Sequence, residues 1–346
     1  MNDRPVALGT GLLALDLIIS RESPPFTMPG GSCGNVLSFL AHLGWTSYPV
    51  GRLGADATAQ WLISGLKEAG VCVDYVSQEP TGSTPVIVQR VSRDASGAPT
   101  HRFERVCPTC QAWFPSFRPI LVKSASVLRT ELPAPRVFYF DRPSPGALVL
   151  AKWAREAGAL VVFEPPRLRE DRHHAAAVEH SHVVKVAASH RGDDLDALLP
   201  ALFADNVPVV IETLGADGLR FKIGGDDHWS DLGAFKVGPI VDSAGAGDWT
   251  TAGLVHQLLT SPTSFPALDR ATVSDALRFG QALAGINCLF LGATGAMRAL
   301  GRDDIGRLAL DLVKVEAPPV CEVPIRSNAQ ALEVCPYCSE RSIVAG

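Results

Sequence analysis

The sequence predicts a doubly wound, mostly parallel α/β sheet with helices on both faces, plus a small antiparallel β lid. Three observations carry this reading. Short runs such as "ALVVFE", "HVVKVA" and "VPVVIET" are apolar at almost every position, as strands buried on both faces are. Segments with helical spacing alternate with such runs from about Ser124 to Leu300. Thr84 to Val106 instead shows two alternating strands around the turn signal "DASGAP", the pattern of a hairpin.

Each element has its own reason. Val6 to Ile19 is mostly apolar and follows Arg4, like a signal-peptide core, but Asp16 interrupts it and no small-x-small cleavage site follows. It reads as a buried strand and a second strand leading out of it. "GNVLSFLAHLG" places Val36, Phe39, Leu40 and Leu43 at helical spacing and stops at Gly44. "ATAQWLISGLKEAG" repeats the pattern and stops at Gly70. "PGALVLAKWAREAG" is a third helix, with Pro145 in its first turn and Gly158 at its end. The strand near Leu17 to Ser20, with the approach to "TMPGG", joins the hairpin in a projecting sheet. From Val315 onward the chain is proline-rich and aperiodic, as an extended surface tail would be. The expected organisation is a domain over 1–314, a lid built from about 14–30 and 84–106, and a tail over 315–346.

Composition narrows the class. Of 346 residues, 47% are hydrophobic and 19% charged, enough to bury a large core. The net charge of -5 speaks against nucleic acid as a partner. No apolar stretch reaches the roughly 18 residues needed to cross a bilayer, so no membrane partner is expected and a cytoplasmic protein is.

The most informative stretch is "VGPIVDSAGAGDWTTAGLVHQLL", Val237 to Leu259. It reads as a strand ending near Val241, a glycine turn, and a helix beginning near Asp248. Gly245, Ala246 and Gly247 would aim unpaired N–H groups at one point, an anion site. A carboxylate at the mouth of such a site suits a general base acting on an attacking hydroxyl. The plainer reading is a turn with Asp248 as a helix N-cap. The stretch matches neither the Walker-A pattern nor a spaced G-x-G-x-x-G.

Four stretches together resemble the PfkB, or ribokinase-like, carbohydrate kinases. "DSAGAGD", Asp242 to Asp248, is similar to that family's D-T-x-G-A-G-D, with Ser243 in the threonine position. "PGGSCGNVLSFLAHLG" is similar to its G-G-x-x-x-N signature, "VGRLGADATAQWL" to its V-G-x-x-G-x-D, and "ETLGADGLRF" to its T-x-G-x-x-G. They occur in the family's order over nearly everything up to about Leu300. The resemblance implies ATP-dependent phosphorylation of a sugar or nucleoside hydroxyl with Mg²⁺. Asp248 is then the base, and Gly245, Ala246 and Gly247 form the anion hole. Asp16, Gly30, Gly31 and Asn35 become sugar contacts, and Thr213, Gly215 and Gly218 line the ATP site. Structural readings stand beside these: Asp16 as a turn or capping residue, Asn35 as a helix cap, the glycines as an ordinary turn. The hairpin becomes the family's lid, through which some relatives pair as homodimers.

The pattern breaks once. Relatives carry an N-x-x-E motif that organises Mg²⁺ and phosphate. Aligned on Lys185, its positions here hold Ala187 and His190, neither of which is a hard-cation carboxylate. A catalytically weak sugar or nucleoside sensor on the kinase fold is therefore the second reading. His173, His174, His180 and His182 lie close by and read as solvated surface.

Two further motifs belong to no kinase signature. Cys107 with Cys110, and Cys335 with Cys338, both occur as Val-Cys-Pro-x-Cys. Two such knuckles supply four thiolates for one structural Zn²⁺. Disulfides and free thiols are the alternatives. A glutaredoxin-type active site at "CPYC" is a distant third, because no helix has room to follow Cys338. Cys33, Cys72, Cys288 and Cys321 read as ordinary thiols.

Overall fold

The computed structural model describes residues 4–95, 97, 99–188, 207–259, 265 and 267–315. The chain starts with β1 (Val6–Thr10), β2 (Ala14–Ile19), β3 (Phe26–Gly30), α1 (Ser32–His42) and β4 (Thr46–Pro49). β5 (Gly51–Gly54), α2 (Ala57–Glu68), β6 (Val76–Glu79), β7 (Val86–Arg93) and β8 (Pro99–Glu104) follow. Next come α3 (Val122–Leu128), β9 (Val137–Phe140), α4 (Pro145–Glu156), β10 (Leu160–Phe163), α5 (Arg172–Glu179) and β11 (Val183–Ala187). β12 (Val209–Thr213), β13 (Leu219–Ile223) and β14 (Ser230–Leu232) complete the strands. The last helices are α6 (Ala246–Leu258), α7 (Arg270–Asn287), α8 (Gly295–Ala299) and α9 (Arg302–Lys314).

Eight strands form one sheet in the order β14-β13-β12-β11-β10-β9-β1-β4. It is parallel from β4 to β12 and antiparallel only at the β13–β14 end. Successive residues of the apolar runs serve opposite faces. In β9, Val137 and Tyr139 join one core while Phe138 and Phe140 join the other; β10 divides the same way. Helices α1, α6 and α7 cover the first face, and α4 and α5 the second. This is why the runs are apolar throughout rather than alternating. Helix starts are locally encoded. Asp56 Oδ1 accepts the Ala59 N–H at 2.7 Å to cap α2, and Ser144 with Pro145 opens α4.

The small sheet has the order β3-β2-β7-β8. Both edges are antiparallel, and the central β2–β7 pair is parallel. One expected strand is not present. Residues 233–245 pair with no neighbour as a strand, because Val241 and Asp242 spend their N–H groups on the Cys288 carbonyl at the end of α7. The histidines also depart from expectation. His174 is buried, bonded to Asp171 Oδ2 (2.9 Å) and the Arg167 carbonyl (3.1 Å). His182 Nδ1 accepts the Val161 N–H at 3.0 Å, and burial pushes this imidazole down to about 4. His182 fastens β10 and His174 the loop that leads into α5, rather than facing solvent.

Candidate active site

The site lies where the parallel strands end. β1, β9, β10, β11 and β12 run in one direction, so the residues just beyond them share an edge. Asp141 follows β9 and Glu164 follows β10. Lys185 lies one strand over, since Phe163 is in register with Val184. Lys185 is fully buried and ion-paired to Glu164. Glu164 Oε2 also accepts the Thr251 hydroxyl at 2.7 Å and the Tyr139 hydroxyl at 3.4 Å.

Helix α6 points its N-terminus at this pair. Its cap is Gly245, at φ 75, and not Asp248. A side chain at 245 would be strained there, and its Cβ would lie 2.6 Å from Ala293 Cβ. The first N–H groups of the helix lack intrahelical partners, the Ala246 N–H reaching the Ser243 carbonyl at 3.2 Å, and Lys185 Nζ lies 3.4 Å from where a Cβ on Gly247 would stand. Helix dipole and ammonium thus place positive potential at one spot.

Asp248 occupies the third helical position and is half-buried. Its Oδ2 accepts a 2.7 Å hydrogen bond from Asn35 Nδ2. Asn35 is not a cap; α1 is capped by Gly31 with no side-chain bond. The two helices are held in this register by Phe39 and Trp249, whose rings stack with centroids 3.9 Å apart. Burial, then the charge of Glu164, pushes the Asp248 carboxyl up to about 8, while the Asn35 bond and Lys185 act against that rise. Asn35 Oδ1 is buried with no partner among the described residues.

Asp16 lies within β2, not in a turn, so its turn or capping reading fails. Its carboxyl group is buried, makes no hydrogen bond among the described residues, and is pushed up to about 7 by burial alone. Gly30 lies against it: a Cβ there would sit 2.0 Å from Asp16 Oδ2. Gly31, at φ 80, lies against the Leu12 carbonyl, 2.4 Å from where its Cβ would be. Gly30, Gly31 and Asn35 therefore run continuously from Asp16 to Asp248.

The small sheet touches the signature loop directly. Gln89 Nε2, on β7, donates to Asp242 Oδ2 at 2.6 Å. His101 Nδ1, on β8, lies 3.5 Å from Asp242 Oδ1 and 3.3 Å from Ser243 Oγ. Asp242 also accepts the N–H groups of Ala244 and Gly292, each at 3.0 Å.

Thr213, Gly215 and Gly218 stand at the end of β12, in the turn to β13, where Leu214 N–H bonds the Gly218 carbonyl at 2.7 Å. The structure brings them to the same sheet edge but gives them no contact with Asp248. Ala187 ends β11, while His190 lies outside the described residues. Among the described residues, no cluster of three or more His, Cys, Asp or Glu can hold a metal ion. Cys107 is buried and Cys110 half-buried, whereas Cys335 and Cys338 lie outside the described residues. Cys33 is buried, and burial with the nearby Asp141 and Asp248 charges holds its thiol well above the usual range, so oxidation there is disfavoured. Sequence reasoning missed Glu164, Lys185 and Thr251, whose partnership exists only once β10, β11 and α6 are assembled.

The fold is shared with known proteins. A fructokinase of Vibrio alginolyticus is 26% identical over 306 residues, covering 84% of this chain and 94% of that one. A probable chloroplastic fructokinase of Arabidopsis thaliana is 24% identical over 80% of this chain and 74% of its own. Among solved structures, a Xylella fastidiosa fructokinase with bound ATP superposes with a TM-score of 0.67 at 20% identity, over 89% of this chain and 98% of that one. An aminoimidazole riboside kinase of Salmonella enterica, complexed with aminoimidazole riboside and an ATP analogue, gives 0.65 at 22%, over 88% and 99%. No described helix is long and apolar enough to cross a membrane. Residues 22–300 match the pfkB family of carbohydrate kinases, and the chain belongs to that family.

Proposed function

We propose that this protein phosphorylates a hydroxyl group of a sugar or sugar-like small molecule from ATP, with Asp248 as general base. One observation carries the reading. A half-buried, proton-holding Asp248 stands in the first turn of a helix whose N-terminus is backed by Lys185, and it is hydrogen-bonded to Asn35, whose own Oδ1 is an orphaned acceptor. Such an acceptor fits a substrate hydroxyl.

The chain's own residues then divide the work. Asp16 and Asn35 accept hydrogen bonds from substrate hydroxyls and fix the substrate's orientation. Asp248 takes the proton of the attacking hydroxyl. The N–H groups of Gly245, Ala246 and Gly247 meet the charge that builds on the transferred group. Thr213, Gly215 and Gly218 border the nucleotide at the neighbouring strand end. Gln89 and His101 hold the small sheet onto the signature loop, so that it acts as a lid excluding water. ATP with Mg²⁺ supplies the phosphoryl group and neutralises its charge. The residues present fit a Mg²⁺ held by phosphate oxygens and water, the usual mode for this ion, since Ala187 offers no ligand and Glu164 is engaged by Lys185. Pairing of two chains through the lid and a cytoplasmic location complete the reading.

The test is a panel of sugars and nucleosides, scored by ADP release with ATP and Mg²⁺. At least one should be turned over. A second reading, favoured by Ala187, is a sensor that binds the same molecules without turnover. It is distinguished by a ligand-induced rise in Tm with no ADP release.

A further inference from the structure

A cavity of about 730 Å³ opens beside the edge strand β8, and Pro166, two residues after Glu164, stands in its wall. That volume suits a small-molecule ligand. The wall continues the substrate face of the small sheet. Ile87 is in register with Asp16, and Phe103 with Gln89, so these four side chains share one face. On that face Gln89 touches Asp242 of the signature loop at 2.6 Å. The alternation along β8 brings Arg105 to the same side, one step beyond the paired residues Val88 and Glu104 and thus across from Ile87. Neighbouring strands lie about 4.8 Å apart, which puts Arg105 about 10 Å from Asp16 along the line Asp16, Ile87, Arg105.

The cavity is cationic. Arg90, Arg102 and Arg105 line it against a single carboxylate, Glu104. That carboxylate is already shared: Arg90 Nε reaches its Oε2 at 2.9 Å and Arg102 Nε its Oε1 at 3.4 Å. Arg105 has no ion pair and no side-chain hydrogen bond among the described residues. Its backbone is nonetheless fixed. Residues 105–114 close into a knuckle, in which Phe114 N–H bonds the Arg105 carbonyl at 2.9 Å and Cys107 N–H the Ala112 carbonyl at 2.8 Å. Gln111, at φ 57, is the one non-glycine residue with positive φ among the described residues, a conformation that its surroundings must hold. A guanidinium without a carboxylate, presented by such a turn to an open cavity, suits a bidentate anion. Phe103 and Trp113, 52% and 78% exposed, add an apolar wall against which a carbon skeleton can lie.

We infer that this cavity receives an anionic group of the substrate, a carboxylate or a phosphate, and that Arg105 selects it. The inference rests on the kinase reading of the neighbouring site and names its substrate class: an acidic or phosphorylated sugar, not a neutral one. The line of residues also sets the orientation. The attacking hydroxyl lies at Asp248, Asp16 grips the middle of the molecule, and the anion lies at the far end, beyond Ile87. Arg90 and Arg102 add positive potential around Arg105 and favour entry of the anion.

The test uses the full-length chain with pentoses and hexoses, the matching aldonic acids and the matching sugar 1-phosphates, which carry the anion at the end opposite the primary hydroxyl. For the preferred anionic member, kcat/KM should exceed that of its neutral counterpart by about 10-fold or more. Whether the acid or the phosphate is preferred identifies the anion. Arg105→Ala should raise KM for that molecule by about 10- to 100-fold with kcat within about threefold, and Arg105→Lys should recover part of the loss. Arg93→Ala, at the outer end of β7 where Arg93 pairs with Glu22, should change neither. Calorimetric binding of the same molecules without ATP separates this inference from the kinase reading. An anion that binds wild type about 10-fold tighter than Arg105→Ala, yet gives no ADP release, would sink the kinase reading and support this one. A neutral sugar that matches its anionic counterparts in both turnover and binding, an Arg105→Ala variant that handles them as wild type does, or the absence of binding by every anionic member would each overturn it.

Discussion

A buried aspartate, Asp16, and a half-buried one, Asp248, sit at opposite ends of the candidate site, and their surroundings differ. Asp248 is embedded in partners: Asn35 donates to it, Glu164 repels it and Lys185 attracts it. Asp16, on the projecting sheet, has burial and nothing else. The contrast fits the two jobs proposed for them. A group that must take a proton at a set moment needs an affinity tuned by several neighbours. A group that only grips hydroxyls needs desolvation and open acceptor capacity, which a ligand then satisfies.

The largest expected effect breaks the Asp248 end. Asp248→Asn keeps the Asn35 contact in shape but cannot take a proton, so kcat should fall by about 10²- to 10⁴-fold with ligand affinity little changed. The effect at the other end is smaller and of another kind. Asp16→Ala should raise KM and lower kcat/KM by about 10- to 100-fold, as expected for lost hydrogen bonds to a charged acceptor. A variant that lost kcat at unchanged KM would erase the distinction.

Next come the neighbours that tune the base. Glu164→Gln removes the repulsion that raises Asp248, so the acid limb of the pH–rate profile should move to lower pH. Lys185→Met should move it to higher pH, and should also cost about 3–5 kcal/mol by stranding Glu164 without its cation. Neither substitution should shift the titration of Asp16, which can be followed by NMR of its carboxyl carbon.

The smallest effect is on stability of the ligand-free protein. Both aspartates hold protons in the fold to about 7 and about 8, whereas the unfolded chain releases them near 4. The folded state therefore binds more protons across that window, and stability falls as pH rises from about 4 to about 8. Asp248→Asn removes its share of this loss. Its Tm at pH 8 should exceed the wild type's by about 2 °C or more, and the gap should close near pH 4.

Much of this arrangement is legible along the chain. The glycine signatures name Asp248 and Asn35, and the doubly apolar runs name the central strands, because each depends on neighbours within a few residues. What is not legible depends on register. Glu164 and Lys185 are separated by an entire helix, and meet only because β10 and β11 lie side by side. His174 and His182 look polar in sequence, yet His182 satisfies a backbone N–H of β10 and His174 a carbonyl of the loop before α5. The strand expected near Val241 is apolar enough, but its N–H groups are taken by the end of α7.

The central claim is that Asp248 is the base of a carbohydrate kinase, and the most direct measurement compares wild type with Asp248→Asn on whichever sugar or nucleoside is turned over. ADP release is followed from pH 5 to 9, with calorimetric binding of the same ligand in parallel. Wild-type turnover should rise with pH along one ionisation with its midpoint near pH 8, while Asp248→Asn binds the ligand but shows no such rise and negligible turnover. Turnover by Asp248→Asn within a few-fold of wild type, with the same pH dependence, would contradict the account.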